Sequence, residues 1–367
     1  LMFTVMDGHL SGGYWEGKTL DLYADFPAEF IVKRDAEGNW CSPTTDGGYA
    51  SLITGLNGGV LCMAEAPDGK IYVGGSFTDA GGVSGASKLA RWNPINEKWE
   101  KVVVGISGTI YAMDFDANGD LYIGGSFTGL GTADGNYIAK LTDLDGTPAI
   151  SPLGTGTSHR VAAILVNPKN EVFVGGDFTS AGGVADTKYI ARWSGTNWYA
   201  LDSGLNNSVN ALALSANGLL YIGGLFTNAD GTYGDYICYW NNLVFSRVGT
   251  VELTGSGLPY VSALAFDNEG YLAVGGNFTN AGGNANADYI ARWEGRTWEV
   301  YGTGVNGIVS KLFFNSGKLY ATGSFTTAGG LTLTDRVAVW SNGAWKPIDI
   351  DLPGTERVNS ILPASDG

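Results

Sequence analysis

The sequence predicts an all-β protein, a β-propeller, on three observations. One phrase recurs along the chain. It reads most fully as Val172-Phe173-Val174-Gly175-Gly176-Asp177-Phe178-Thr179-Ser180-Ala181-Gly182-Gly183, and it returns at 71–82, 121–131, 221–231, 272–283 and 319–330. Its anchoring aromatic falls at Phe77, Phe127, Phe178, Phe226, Phe278 and Phe325, in steps of 50, 51, 48, 52 and 47 residues. A fixed period near 50 marks a repeat architecture, and at that length the unit is a propeller blade. The 57 glycines and 11 tryptophans among 367 residues suit many short strands with tight turns and large packing anchors.

Taken in order, residues 1–19 lie outside the repeat. Gly8, Gly12 and Gly13 interrupt any periodicity, so this piece reads as a lead-in or connector. The single propeller domain is expected over residues 20–367. Residues 20–43 read as a degenerate partial unit. Phe30-Ile31-Val32-Lys33-Arg34 with Gly38-Asn39-Trp40 parallels Tyr189-Ile190-Ala191-Arg192-Trp193 with Gly195-Thr196-Asn197-Trp198.

Each full unit then carries four strands, a to d. Strand a has the V-x-A-L-A pattern, as at Val161-Ala162-Ala163-Ile164-Leu165. A turn such as Pro67-Asp68-Gly69 follows, built from residues that tolerate positive φ. Strand b ends in Gly-Gly, and its near-continuous apolar run implies burial on both faces. The paired glycines permit a backbone approach that a side chain would block. A longer loop leads to strand c, the I-A-R-W strand. A short turn then leads to strand d, marked by Trp99, Trp198, Trp298 and Trp345. The second and fourth units lack that tryptophan.

The chain ends on Arg357-Val358-Asn359-Ser360-Ile361-Leu362-Pro363, which matches a strand a with no strand b after it. The N-terminal piece supplies strands b, c and d without an a. Seven four-stranded blades are therefore expected, the last closed by both termini. Val358–Leu362 should pair near Leu20–Ala24, which removes exposed sheet edges. The alternative is six blades plus an N-terminal extension.

The formal net charge of −15 argues against nucleic acid as a partner, since nothing would neutralise phosphates. Membrane insertion is not expected either, because no run of 18 apolar residues occurs. Cys41, Cys62 and Cys238 have no C-x-x-C spacing and give neither a disulfide scaffold nor a zinc signature.

The Gly-Gly strand ending, with aromatic and tryptophan marks on the outer strands, resembles the kelch type of β-propeller. The fuller phrase G-G-x-F-T-x-A-G-G…I-A-R-W-x-G-x-x-W is similar to repeats of fungal cortical polarity-marker proteins, bacterial surface proteins and bacteriophage structural proteins. The stretch from Leu20 to Phe30 also resembles openings of phage tail-associated proteins. These resemblances imply the propeller fold and a structural or adhesive setting. They do not assign a function, since propellers host enzymes, scaffolds and adhesins alike.

No catalytic constellation stands out. A copper-radical oxidase of kelch type needs histidine ligands, and only His9 and His159 exist. A propeller glycosidase needs facing carboxylates, yet Glu65, Asp116 and Asp267 fall in the hairpin turns. Asp114 is the exception, because it replaces an apolar strand residue. Arg91, Lys140, Arg192 and Arg292 read as outer-strand residues that pair with acids or stack on tryptophan. No metal, cofactor or enzymatic activity is expected.

The expected function is a non-enzymatic structural and binding module on an extracellular or virion surface. A bacteriophage tail or fibre component for assembly or host recognition leads. The alternatives are a bacterial cell-surface adhesin domain and a carbohydrate-active enzyme. The partner would be a protein or glycan on a surface, within a larger assembly. Binding should concentrate on the b–c and d–a loops, which vary over a rigid scaffold. Tyr233, Tyr260, Asp230, Asp186 and His159 are the candidate contact residues on that face.

Overall fold

In a computed structural model of the chain, the described residues run from 56 to 348 except 97, 131–132, 135, 230–234, 250–252, 256–257 and 333–335. The backbone of short strands is also described at 2–6, 14–15, 18–19, 31–34, 40–41 and 358–363. Six blades follow one another between residues 60 and 347, each a four-stranded antiparallel meander from one continuous stretch. Their strands a are Val60–Glu65, Ile110–Phe115, Val161–Val166, Val209–Leu214, Tyr260–Phe266 and Val309–Asn315. Consecutive strands a lie side by side and form the inner wall. In blade 3 the remaining strands are Val172–Gly176, Ile190–Trp193 and Trp198–Tyr199.

The expectation of seven blades is corrected. Six are built from the repeat, and the predicted partner Leu20–Ala24 lies outside the described residues. The C-terminal strand Val358–Pro363 pairs instead with Met2–Met6, inside the stretch read as a lead-in. Met2–Met6 pairs in turn with Ile31–Arg34, and that strand with Trp40–Cys41. The inner strand of this terminal sheet lies between those of blades 6 and 1. Residues 20–30 are outside the described residues. The physical reason for the error is plain. Antiparallel pairing needs backbone donors and acceptors in register, not a repeat signature. Met2–Met6 supplies them without carrying the Gly-Gly phrase.

Among the described residues, five of the six core clusters lie between neighbouring blades, and the sixth is made of blade 1 alone. One cluster joins Tyr122 and Ile138 of blade 2 to Val161, Val174 and Phe178 of blade 3. Another joins Phe173 and Ile190 of blade 3 to Val209, Ile222 and Phe226 of blade 4. The repeat phrase explains this packing. A Cβ on the second glycine of a pair, Gly176, would stand 2.2 Å from the carbonyl oxygen of Arg160. A Cβ on the first, Gly175, would stand 2.4 Å from Cγ1 of Val209 in the next blade. Both strand pairing and blade stacking therefore exclude a side chain there.

The Ala-Gly-Gly phrase has its own cause. Gly182 has φ +61, and a Cβ there would lie 2.3 Å from Cδ1 of Trp198. Gly81, Gly282 and Gly329 lie in the same way on Trp99, Trp298 and Trp345. Blades 2 and 4 lack both the Gly-Gly and the strand-d tryptophan. In the four blades that have it, this tryptophan meets the strand-c tryptophan at ring-centroid distances from 5.2 to 5.6 Å.

Candidate functional site

The two ends of the ring differ in how their polar groups are used. At the a–b and c–d end, the acids are consumed by turns and ion pairs. Asp116 Oδ1 accepts from the N–H groups of Asn118 at 2.9 Å and Asp120 at 3.0 Å. Asp267 does the same for Glu269 and Tyr271. The basic residues of strand c pair with these and nearby acids. Lys140 reaches Asp116 at 3.0 Å, Arg91 reaches Glu100 at 2.6 Å and Arg192 reaches Glu171 at 2.7 Å. Arg292 pairs with Glu294. Their aromatic partners are tyrosines, not the expected tryptophans: Arg192 sits 5.0 Å over Tyr199 and Arg292 5.3 Å over Tyr271.

Asp114 is half-buried on the inner wall, where its Oδ2 accepts the Val166 N–H of the next blade at 2.7 Å. Its Oδ1 accepts the Phe115 N–H at 2.9 Å. Burial raises its pKa to about 6, against these two donors. The group ties two inner strands together.

The b–c and d–a end is built as a stiff frame. One residue ahead of strand a reaches across to the loop after strand b. Asn57 Oδ1 accepts the N–H groups of Thr78 and Asp79, each at 2.8 Å. Ser107, Ser158, Asn206 and Asn306 make the same pair of bonds in blades 2, 3, 4 and 6. In blade 5, Thr254 and Thr279 bond through their backbones instead. Each b–c loop then ends on a residue at positive φ: Lys88, Tyr137, Tyr189, Tyr236, Tyr289 and Arg336, between 54° and 70°. None is glycine, so every blade holds a strained position of this kind. The carbonyl of each accepts from the second glycine of strand b, or from its counterpart Gly323 in blade 6, which fixes the turn.

On this frame, blades 2 to 4 assemble a polar cluster. Arg160, just ahead of strand a in blade 3, donates from Nε to Asp177 at 2.6 Å. Its guanidinium lies 4.7 Å over the ring of Tyr111. Burial opposes ionisation of Asp177, but hydrogen bonds from Arg160 and Ser208 outweigh it and hold the carboxyl below its usual range. His159 is exposed and stacks on Tyr137 with centroids 5.9 Å apart. Arg160 and Asp177 remain 30% and 26% exposed, so the pair is reachable from solvent.

Of the expected contact residues, His159 enters this cluster. Asp186 is exposed in the b–c loop of blade 3 at φ +59, outside the cluster. Tyr260 begins strand a of blade 5, paired with Asn277, rather than sitting in a loop. Asp230 and Tyr233 lie outside the described residues. Tyr111, Tyr137, Arg160, Asp177 and Ser208 were not among the expected contact residues. Yet the signal was there. The residue ahead of strand a is Gly59, Thr109, Arg160, Ser208 or Ile308 in five blades. The residue after strand b's glycines is Ser76, Ser126, Asp177, Leu225, Asn277 or Ser324. Only blade 3 fills both with opposite charges.

Among the described residues, no three His, Cys, Asp or Glu side chains are grouped to hold a metal, and no helix is long and apolar enough to cross a membrane.

The blades and their shared inner wall define a β-propeller. Residues 49–145 match the model of the Rax2 C-terminal beta propeller domain. No curated protein sequence matches the chain. Among solved structures, the chain is similar to a catalytically inactive virginiamycin B lyase from Staphylococcus aureus with quinupristin. That likeness has a TM-score of 0.50 at 14% identity, over 87% of this chain and 95% of the other. It is also similar to U3-55K, with a TM-score of 0.49 at 14% identity over 79% of this chain and 81% of that one. The RRP9 WD40 repeats give 0.48 at 14% identity over 79% and 80%. At such identity the likeness to the lyase speaks to the fold alone.

Proposed function

We propose that this chain is a non-enzymatic binding module that recognises a protein or glycan through its b–c/d–a face. The observation that carries this reading is the clamp ahead of strand a, which holds the loops of one face in a common frame. Side chains beside the clamp vary from blade to blade, as a rigid scaffold with variable contacts requires. His159, Arg160 and Asp177 are the first contacts we assign, with Tyr260 two blades further on. The opposite face spends its charges on its own turns.

An extracellular or virion setting is part of the same proposal, with a bacteriophage tail or fibre role in assembly or host recognition ahead of a bacterial adhesin. It is supported by the kelch-like repeat phrase and by the phage-like opening from Leu20 to Phe30. The binding test uses the labelled chain on glycan arrays and on bacterial cells. His159→Ala with Arg160→Gln should weaken binding at least tenfold while the melting temperature stays within a few degrees. Binding that survives both changes, or that responds instead to Asp68→Ala and Asn268→Ala on the other face, refutes the assignment. Turnover of any glycan in the same array would refute the non-enzymatic reading.

A further inference from the structure

The repeat supplies an internal control for a second site. In blades 1 to 5 a small residue near the start of strand a faces the first residue of the strand-b glycine pair. The register partners are Cys62–Gly74, Ala112–Gly124, Ala163–Gly175, Ala211–Gly223 and Ala263–Gly275 in blades 1 to 5. All are small because the next blade presses on them. A Cβ on Gly124 would stand 2.4 Å from Val161, and one on Gly223 2.4 Å from Val261. Blade 6 breaks the rule twice in one register pair: Lys311 faces Thr322.

Both departures place polar groups that have no hydrogen-bond or ion-pair partner among the described residues. Thr322 is 0% exposed, and its Oγ1 has no hydrogen-bond partner. A buried hydroxyl left this way costs about 1–3 kcal/mol. Lys311 is half-buried on the inner wall. No acid among the described residues faces its amine. The interacting group is the Cys62 thiol. Burial pushes that thiol up to about 12, so it stays neutral and cannot balance an ammonium. Desolvation lowers the lysine's own pKa, the response of a cation without a counter-ion.

We propose that Lys311 and Thr322 form a binding site for a small oxyanion, a carboxylate or a phosphate, at the seam between blade 6 and the terminal sheet. An ammonium can only donate and a hydroxyl can donate, so an acceptor is the one kind of group that serves both. A negative charge would also restore the ammonium that desolvation disfavours. An apolar ligand would satisfy neither atom. The general surface, at a net charge of −15, repels anions and makes a specific anion effect easy to attribute.

The test is thermal unfolding of the whole chain in sodium phosphate, in sodium acetate and in sodium chloride of equal ionic strength. Lys311→Ala with Thr322→Gly restores the Ala–Gly pair of the other blades. Lys311→Met alone is the second variant, should the first not fold. We expect a saturable rise in melting temperature with one oxyanion in the wild type. We expect at least a tenfold loss of that affinity in either variant. A lower half-saturation for phosphate than for acetate assigns the site to phosphates, and the reverse to carboxylates. General salting-out by phosphate acts on both proteins alike. A wild type that responds no more than to chloride, or variants that respond equally, overturns the proposal.

Discussion

Replacing Asp114 by Asn should change the pH dependence of stability more than stability itself. The folded pKa of Asp114 is raised from 3.8 to about 6. A shift of that size corresponds to about 3 kcal/mol between the two protonation states. The sign follows from the direction of the shift. The fold favours the neutral carboxyl, so its contribution is fully present below the unfolded pKa near 4. It is lost as pH rises through about 6. Asn cannot titrate. It keeps one acceptor oxygen for the N–H of either Val166 or Phe115, and losing the other bond costs about 1 kcal/mol at every pH. Relative to the wild type, the variant should therefore gain about 3 kcal/mol between pH 3.5 and pH 7. Urea unfolding followed by tryptophan fluorescence at several pH values gives this difference directly. All other acids titrate in both proteins and cancel. A difference that is flat with pH, or that falls as pH rises, would refute the argument that desolvation dominates at this carboxylate.

Three further outcomes are expected. Gly182→Ala combines a positive φ with a Cβ 2.3 Å from Trp198, and should cost about 2–4 kcal/mol by chemical denaturation. Gly183→Ala, at φ +72 with nothing within 4 Å, should cost only about 1 kcal/mol; equal costs would discount the tryptophan contact. Asn306→Ala removes the acceptor for the Thr326 and Thr327 N–H groups, and faster amide hydrogen exchange should appear at those two residues while the inner strands stay protected.

The repeat was legible because each of its letters answers a separate physical demand. Gly175 and Gly176 answer blade stacking and strand pairing, and Gly182 answers a tryptophan. The chain ends were not legible. Met2–Met6 joins the ring through backbone bonds alone, and no residue type announces that. Tyr260 closes the long d–a connection in the sequence, yet strand a of blade 5 begins there. Arg160 and Asp177 were hidden for a different reason. Each looks ordinary in its own stretch, and only superposing the repeats shows two complementary departures in one blade. The same holds for Lys311 and Thr322.

Because five of the six core clusters straddle two neighbouring blades, blades 2 to 6 have little interior of their own. The ring behaves as masonry, in which every stone stands by the thrust of its neighbours. Lifting out one repeat would strip apolar cover from the blades on both sides. A cut in an outer turn, such as the one holding exposed Leu243, would leave every joint in place. Deletion and insertion are therefore governed by joints rather than by blades. A viable shortening must bring together two faces that already fit, such as a glycine pair and the inner valine that presses on it.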